Sequence, residues 1–95
     1  MRDDLGAIQI QILPILKAAG IRRAAIFGSL ARGEATDESD VDLLIDSPDG
    51  TTLLDVIALE HELEDALGRE VDLVEYQAIK PRLRDRILRE QVPIL

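Results

Sequence analysis

Ala24-Ala25-Ile26-Phe27-Gly28-Ser29, followed after ten residues by Asp40-Val41-Asp42-Leu43-Leu44-Ile45-Asp46, is the stretch that decides the fold. The first part is a short apolar run ending at a glycine, which reads as a buried strand feeding a tight Gly28-Ser29 turn. The second part opens with charged and apolar residues in alternation. A strand sorts such residues onto two faces, Asp40 and Asp42 on one, Val41 and Leu43 on the other. Residues 30 to 39 between them are small and polar and read as a connection.

Upstream, Leu5, Ile8, Ile12, Ile15 and Leu16 recur at helical spacing, with Asp3 or Asp4 as N-cap and Gly20 as the stop. This predicts a helix over 5–17, kinked or restarted at Pro14. Downstream, Ser47-Pro48-Asp49-Gly50 is a turn by composition. Thr52 with Asp55 resembles a capping box, and Leu53, Val56, Leu59, Leu63 and Leu67 form an apolar stripe closed by Gly68, so a helix is expected over 52–67. Glu70-Val71-Asp72-Leu73-Val74-Glu75 repeats the strand alternation, and Pro81 suits the first position of a last helix reaching about Gln91. The expected order is helix, strand, strand, helix, strand, helix. That is a small α/β or α+β fold, a mixed sheet of about three strands flanked by helices, with the second and third strands parallel across their connecting helix. Residues 1–95 are expected to form one domain.

Hydrophobic residues make up 46% of the chain, but Phe27 and Tyr76 are its only aromatics, so the core must be aliphatic. The absence of cysteine excludes disulfides, thiolate metal sites and a cysteine nucleophile, and fits a reducing cytoplasm. One histidine argues against zinc. The N-terminus lacks the uninterrupted apolar core of a signal peptide or membrane span. A net charge of −8 argues against broad binding to nucleic-acid backbone. Its distribution is more telling: residues 34–75 hold fifteen acids and one base, Arg69, while the flanking segments are each +3. An acidic centre suits divalent cations, and basic flanks suit the phosphates those cations carry.

Two carboxylates on one strand face repel unless solvent or a cation lies between them. Magnesium binds through one or two carboxylates plus substrate phosphates, which fits Asp40 and Asp42. Asp72 offers a third acid on a short apolar strand that could lie beside the first, enough for a two-metal site with ions roughly 3.5–4 Å apart. Gly28-Ser29 can seat a triphosphate, because glycine admits close approach of the backbone and free amides hold phosphate oxygens. Gly28 and Gly33 have P-loop spacing, but Glu34-Ala35 replaces the Lys and Ser or Thr that should follow. An EF-hand loop fails as well, since Leu44 stands where a third oxygen ligand belongs.

Gly28-Ser29, ten residues, then Asp40-x-Asp42 resembles the signature of polymerase-β-like nucleotidyltransferases. The longer runs Phe27-Gly-Ser-Leu-Ala-Arg-Gly-Glu-Ala and Ser39-Asp-Val-Asp-Leu-Leu-Ile resemble the minimal nucleotidyltransferases of prokaryotes, often antitoxins paired with HEPN-domain toxins. Asp72 falls where the family keeps its third carboxylate, and Ile87-Leu88-Arg89-Glu90 resembles its closing helix, so the likeness covers nearly the whole chain. The resemblance implies two magnesium ions, or manganese in their place. It implies that Asp40 and Asp42 bind both metals, that Asp72 binds one and helps deprotonate the acceptor, and that Gly28-Ser29 grips the phosphates of ATP. It further implies AMP transfer to a hydroxyl, a tyrosine, of a HEPN-type toxin. The family's polymerases carry extra domains for template and primer, so no template nucleic acid is expected. Nucleotidylation of a small molecule, and a non-catalytic antitoxin that masks its toxin, are the alternatives.

Some residues stay open at the level of sequence. Arg32 either reaches a nucleotide phosphate or pairs with Glu34 or Asp37. His61 reads as a surface residue. The stretch Lys80, Arg82, Arg84, Arg86, Arg89 is a solvated helix face, a phosphate-binding edge or a docking surface, and Tyr76 stacks on a base or packs at a strand end.

Overall fold

The structure, a computed structural model, describes residues 4–36 and 39–95. The elements run α1 (Asp4–Ala18), β1 (Arg23–Phe27), α2 (Ser29–Arg32), β2 (Val41–Asp46), α3 (Leu53–Leu67), β3 (Val71–Glu75), a 3-10 turn (Tyr76–Ala78), α4 (Pro81–Glu90) and β4 (Val92–Pro93). The sheet has the order β3-β2-β1-β4. β2 and β3 are parallel across α3, and β1 is antiparallel to both β2 and β4. The sheet therefore has four strands where three were expected; β4 is two residues long and contains Pro93, a residue that normally argues against a strand.

Alternation along the strands divides the core into two layers. Ala24, Ile26, Val41, Leu43, Ile45 and Val71 face α1 and α3, where Ile8, Ile12, Leu16, Leu59 and Leu63 complete a buried cluster. The other face carries Ala25 and Leu44 against Ile79 and Ile87, with Phe27, Val74, Tyr76, Leu83 and Leu88 partly buried around them. β2 is covered on both faces, so Val41, Leu43, Leu44 and Ile45 are fully buried. Truncating a side chain as enclosed as Leu63 to alanine should cost roughly 2–5 kcal/mol.

The local signals account for most boundaries. Thr52 and Asp55 form the reciprocal capping box, and Gly68 closes α3 in the left-handed conformation. α1 runs unbroken through Pro14 instead of restarting there. The carbonyl that Pro14 leaves without a donor belongs to Ile10, an exposed residue, where water can replace the bond. Asp3, proposed as a cap, lies outside the described residues, as does Asp37. Leu53 departs from the expected stripe: it is 75% exposed, while Leu59 and Leu63 carry the buried face.

Both sheet edges are blunted. Along β3 the outward N–H groups of Val71 and Leu73 donate to Glu64 and Glu60 of α3, at 3.0 and 3.2 Å. At the other edge, β4 is short and contains a proline. Tyr76 packs at the strand end, its ring under the Arg23 guanidinium at 4.3 Å and its hydroxyl donating to Gln91 Oε1 at 2.8 Å.

Candidate active site

The β1–β2–β3 register places Phe27 opposite Asp42, and Asp42 beside Asp72. These three form one row on the face that α4 covers. The next row, Ala25, Leu44 and Val74, lies under α4 in the second core cluster, whereas Asp72 is exposed and Asp42 half-buried. The carboxylates thus occupy the open end of an otherwise covered face. Asp40 immediately precedes β2 and is exposed.

Electrostatics tie the three acids together. The Asp42 carboxyl is pushed above the usual carboxylate range, first by burial, then by the negative charges of Asp72 and Asp40, while the Arg32 charge works in the opposite sense. Among the described residues no three acidic side chains close into a ready-made cage. Asp42 and Asp72 are neighbours in register, and Asp40 reaches them through charge. A divalent cation suits this donor set, because oxygen ligands alone are present and the cation would relieve both burial and mutual repulsion at Asp42.

Gly28 shapes the other wall. Its φ of 76° and ψ of −150° belong to a region open in practice only to glycine. A Cβ there would overlap Asp42 Oδ2 and lie 3.1 Å from Asp42 Cγ. The absence of a side chain at residue 28 is therefore what lets the Asp42 carboxylate lie against the turn. Ser29 then opens α2, one helical turn in a segment expected to be a simple connection. Leu30 needs burial and is 4% exposed, and Gly33 ends the turn in the left-handed conformation. The first N–H groups of so short a turn have no helical acceptor behind them, and the turn follows the glycine that lies against Asp42.

Arg32 is engaged by carboxylates. Its Nε donates to Glu34 at 2.9 Å and its Nη1 to Glu90 at 3.0 Å, and the Glu34 hydrogen bond is the chief cause of its raised pKa. Pairing with Glu34 was one of the sequence readings; Glu90, 58 residues away, was beyond local pattern. Arg69 was also missed, although its isolation among acids was visible. Its guanidinium binds the Ser39 carbonyl at 2.7 and 3.0 Å and the Thr36 carbonyl at 3.1 Å, fixing the approach to Asp40. His61 is exposed, as expected.

With this geometry in hand, a model of the family described as "Polymerase beta, Nucleotidyltransferase" matches residues 11–95. A Methanocaldococcus jannaschii protein, MJ0435, named as a candidate protein adenylyltransferase, is 47% identical over 97% of this chain and 99% of its own length. A solved structure described as a candidate minimal nucleotidyltransferase superposes with a TM-score of 0.81 at 43% identity, covering 95% of this chain and 92% of that one. A re-refined structure of the tri-AMPylated HEPN toxin of Shewanella oneidensis with an MNT antitoxin gives a TM-score of 0.74 at 18% identity, covering 95% and 71%. That last likeness concerns the fold alone.

Proposed function

The chain belongs to the polymerase-β nucleotidyltransferase family, and from that premise we propose that it transfers AMP from ATP to a hydroxyl, a tyrosine, of a partner HEPN-type toxin, acting as an antitoxin in the cytoplasm. The observation that carries this reading is the Asp42–Asp72 pair in register on adjacent parallel strands, with the side-chain-free Gly28 turn against Asp42. The naming of the M. jannaschii relative as an adenylyltransferase, and the AMPylated toxin in the Shewanella complex, support the choice of AMP and of a protein acceptor.

In this proposal Asp40, Asp42 and Asp72 hold two magnesium ions, or manganese. When bound, such ions neutralise phosphate charge and favour the alkoxide form of an attacking hydroxyl. The backbone at Gly28-Ser29 would orient the triphosphate, and Arg32, whose charge acts on Asp42, would add a donor to it in place of one of its carboxylate partners. The acceptor oxygen forms a bond to the α-phosphorus. The bond from that phosphorus to the oxygen bridging toward the β-phosphate breaks, pyrophosphate leaves, and Asp72 receives the hydroxyl proton. Docking of a partner would supply the proximity of acceptor and nucleotide. AMP on a tyrosine adds charge and bulk, which would block an RNA-cleaving site.

The test is incubation of the purified chain with the product of its adjacent gene, ATP and magnesium, followed by intact mass measurement and mapping of the modified residue. An AMP adduct on a hydroxyl of the neighbour is expected. A neighbour silenced in a stable complex without an adduct would reject transfer and establish masking.

A further inference from the structure

Arg32 and Glu90 join the Gly28 turn to the end of α4, and the backbone fixes both members of the pair. The Arg32 N–H donates to the Gly28 carbonyl at 3.1 Å, so Arg32 stands one helical turn beyond the residue that lies against Asp42. Glu90 is the last residue of α4, and the two residues after it are fastened. Gln91 accepts the Tyr76 hydroxyl proton at 2.8 Å, and Val92 pairs with Ile26 of β1. The two carboxylates on Arg32 are not equivalent. Glu34 meets Nε at 2.9 Å with a side chain 64% exposed, whereas Glu90 meets Nη1 at 3.0 Å with a side chain 18% exposed. Nε and Nη2 share one edge of the planar guanidinium, an edge that can grip an anion through two parallel hydrogen bonds, and Nη1 lies off it. Nη2 has no bond among the described residues. A phosphate can therefore take the Nε–Nη2 edge by displacing Glu34 alone, while Glu90 keeps Nη1.

We propose that Glu90 is a positioning residue for the nucleotide: it holds Arg32 by Nη1 so that the Nε–Nη2 edge is presented to a phosphate, and Glu34 is the occupant of that edge which the phosphate replaces. This rests on the reading of the site as a nucleotide-transfer centre and adds to it a residue from α4. The fold itself gains little from an acid at this position. A carboxylate in the last turn of a helix meets the negative end of the helix dipole, and a partly exposed ion pair adds little stability. The effect of the pair falls on where Arg32 points. An unheld arginine samples many rotamers, and the Asp42 carboxylate lies within the field of its charge. No ion pair joins Arg32 to Asp42 among the described residues. Glu90 thus also keeps the guanidinium off a carboxylate that a cation would use.

The test is calorimetric titration of the whole chain with ATP and magnesium, no acceptor being present, with melting curves recorded for every variant. By charge alone, removing either acid from so acidic a protein should tighten the binding of an anion. Positioning predicts opposite signs instead. Glu90→Ala should weaken ATP about three- to tenfold, a coupling ordinary for residues in direct contact. Glu34→Ala should bind ATP at least as tightly as wild type, because the phosphate no longer competes for the edge. Glu90→Gln keeps an acceptor oxygen for Nη1 and should recover most of the loss. In an Arg32→Ala background, Glu90→Ala should cause no further weakening. Unchanged or tighter binding in Glu90→Ala, no recovery in Glu90→Gln, or a Glu90 effect undiminished without Arg32 would overturn the proposal. Glu34→Ala, an exposed change, keeps it testable if Glu90→Ala folds poorly, since weaker binding there would also overturn it. A wild-type chain that does not bind ATP with magnesium would instead reject the nucleotide-transfer reading itself, and the positioning role with it.

Discussion

Replacing Gly28 by alanine isolates the physical demand at the heart of the candidate site. The backbone conformation alone, φ 76° and ψ −150°, should cost about 1–3 kcal/mol for any L-residue. The new Cβ also overlaps Asp42 Oδ2, and displacing a half-buried carboxylate adds overpacking of about 1–3 kcal/mol. A combined loss of roughly 2–6 kcal/mol is a large part of the stability of a domain this size and corresponds to a fall in Tm of about 10 °C or more. Gly33→Ala is the control, because Gly33 also has a positive φ of 74° but no atom lies within 4 Å of its virtual Cβ. It should cost only about 1–2 kcal/mol. Urea melts followed by circular dichroism, run in a cycle with Asp42→Ala, separate the two components of the Gly28 effect. With the carboxylate gone, Gly28→Ala should retain the conformational cost and lose the overlap, giving a coupling of about 1–3 kcal/mol. The reasoning is refuted if Gly28→Ala costs no more than Gly33→Ala, or if its cost is the same in the Asp42→Ala background.

Asp42→Asn should stabilise the metal-free fold while abolishing activity. Because the folded carboxyl has a raised pKa, its ionisation destabilises the fold; the gain over wild type should be full above the folded pKa and vanish as pH falls below the ordinary carboxylate value. Melting curves across acid and neutral pH check this, and a gap that widens on acidification would contradict it. ATP should bind weakly in EDTA and far more tightly with magnesium or manganese, since the acidic row repels a bare triphosphate; equal calorimetric affinity would sink the two-metal reading. Asp72→Asn should retain nucleotide binding and lose transfer, whereas Asp40→Asn or Asp42→Asn should weaken both. Identical behaviour of all three in binding and turnover assays would mean the roles are misassigned.

The elements legible in the sequence were those built from local rules. The Asp40-to-Asp46 alternation, the Thr52–Asp55 box, Gly68 and Pro81 each specify their own neighbourhood, and the helix between β2 and β3 fixed their parallel pairing. β4 was not legible because two residues, one of them proline, carry no periodicity and pair only once β1 is in place. α2 escaped because a single turn is shorter than the helical period needs for recognition. Glu60 and Glu64 bond to β3, a role that no local pattern marks and that is set by the way the helix packs. Leu53 looked like core by spacing, but it is the first residue of α3 and stays exposed. At the site, the residue types and their spacing were visible, while the engagement of Arg32 by Glu90 and of Ser39 by Arg69 depends on contacts 58 and 30 residues apart.

Tyr76 gives the molecule an optical handle. It is the one tyrosine in a chain without tryptophan, so tyrosine emission comes from a single place. That place joins three elements: the Arg23 guanidinium at the start of β1 covers the ring, the end of β3 leads into it, and Gln91 at the close of α4 accepts its hydroxyl proton. Withdrawal of Arg23 or lifting of α4 would change the surroundings of the phenol directly. The carboxylate row lies toward the other end of the same strands, so its filling alone leaves those contacts intact. Unmodified protein can therefore report, without a label, whether an encounter with a partner moves α4, and a silent signal during turnover would mean that the reaction proceeds on a fixed helix.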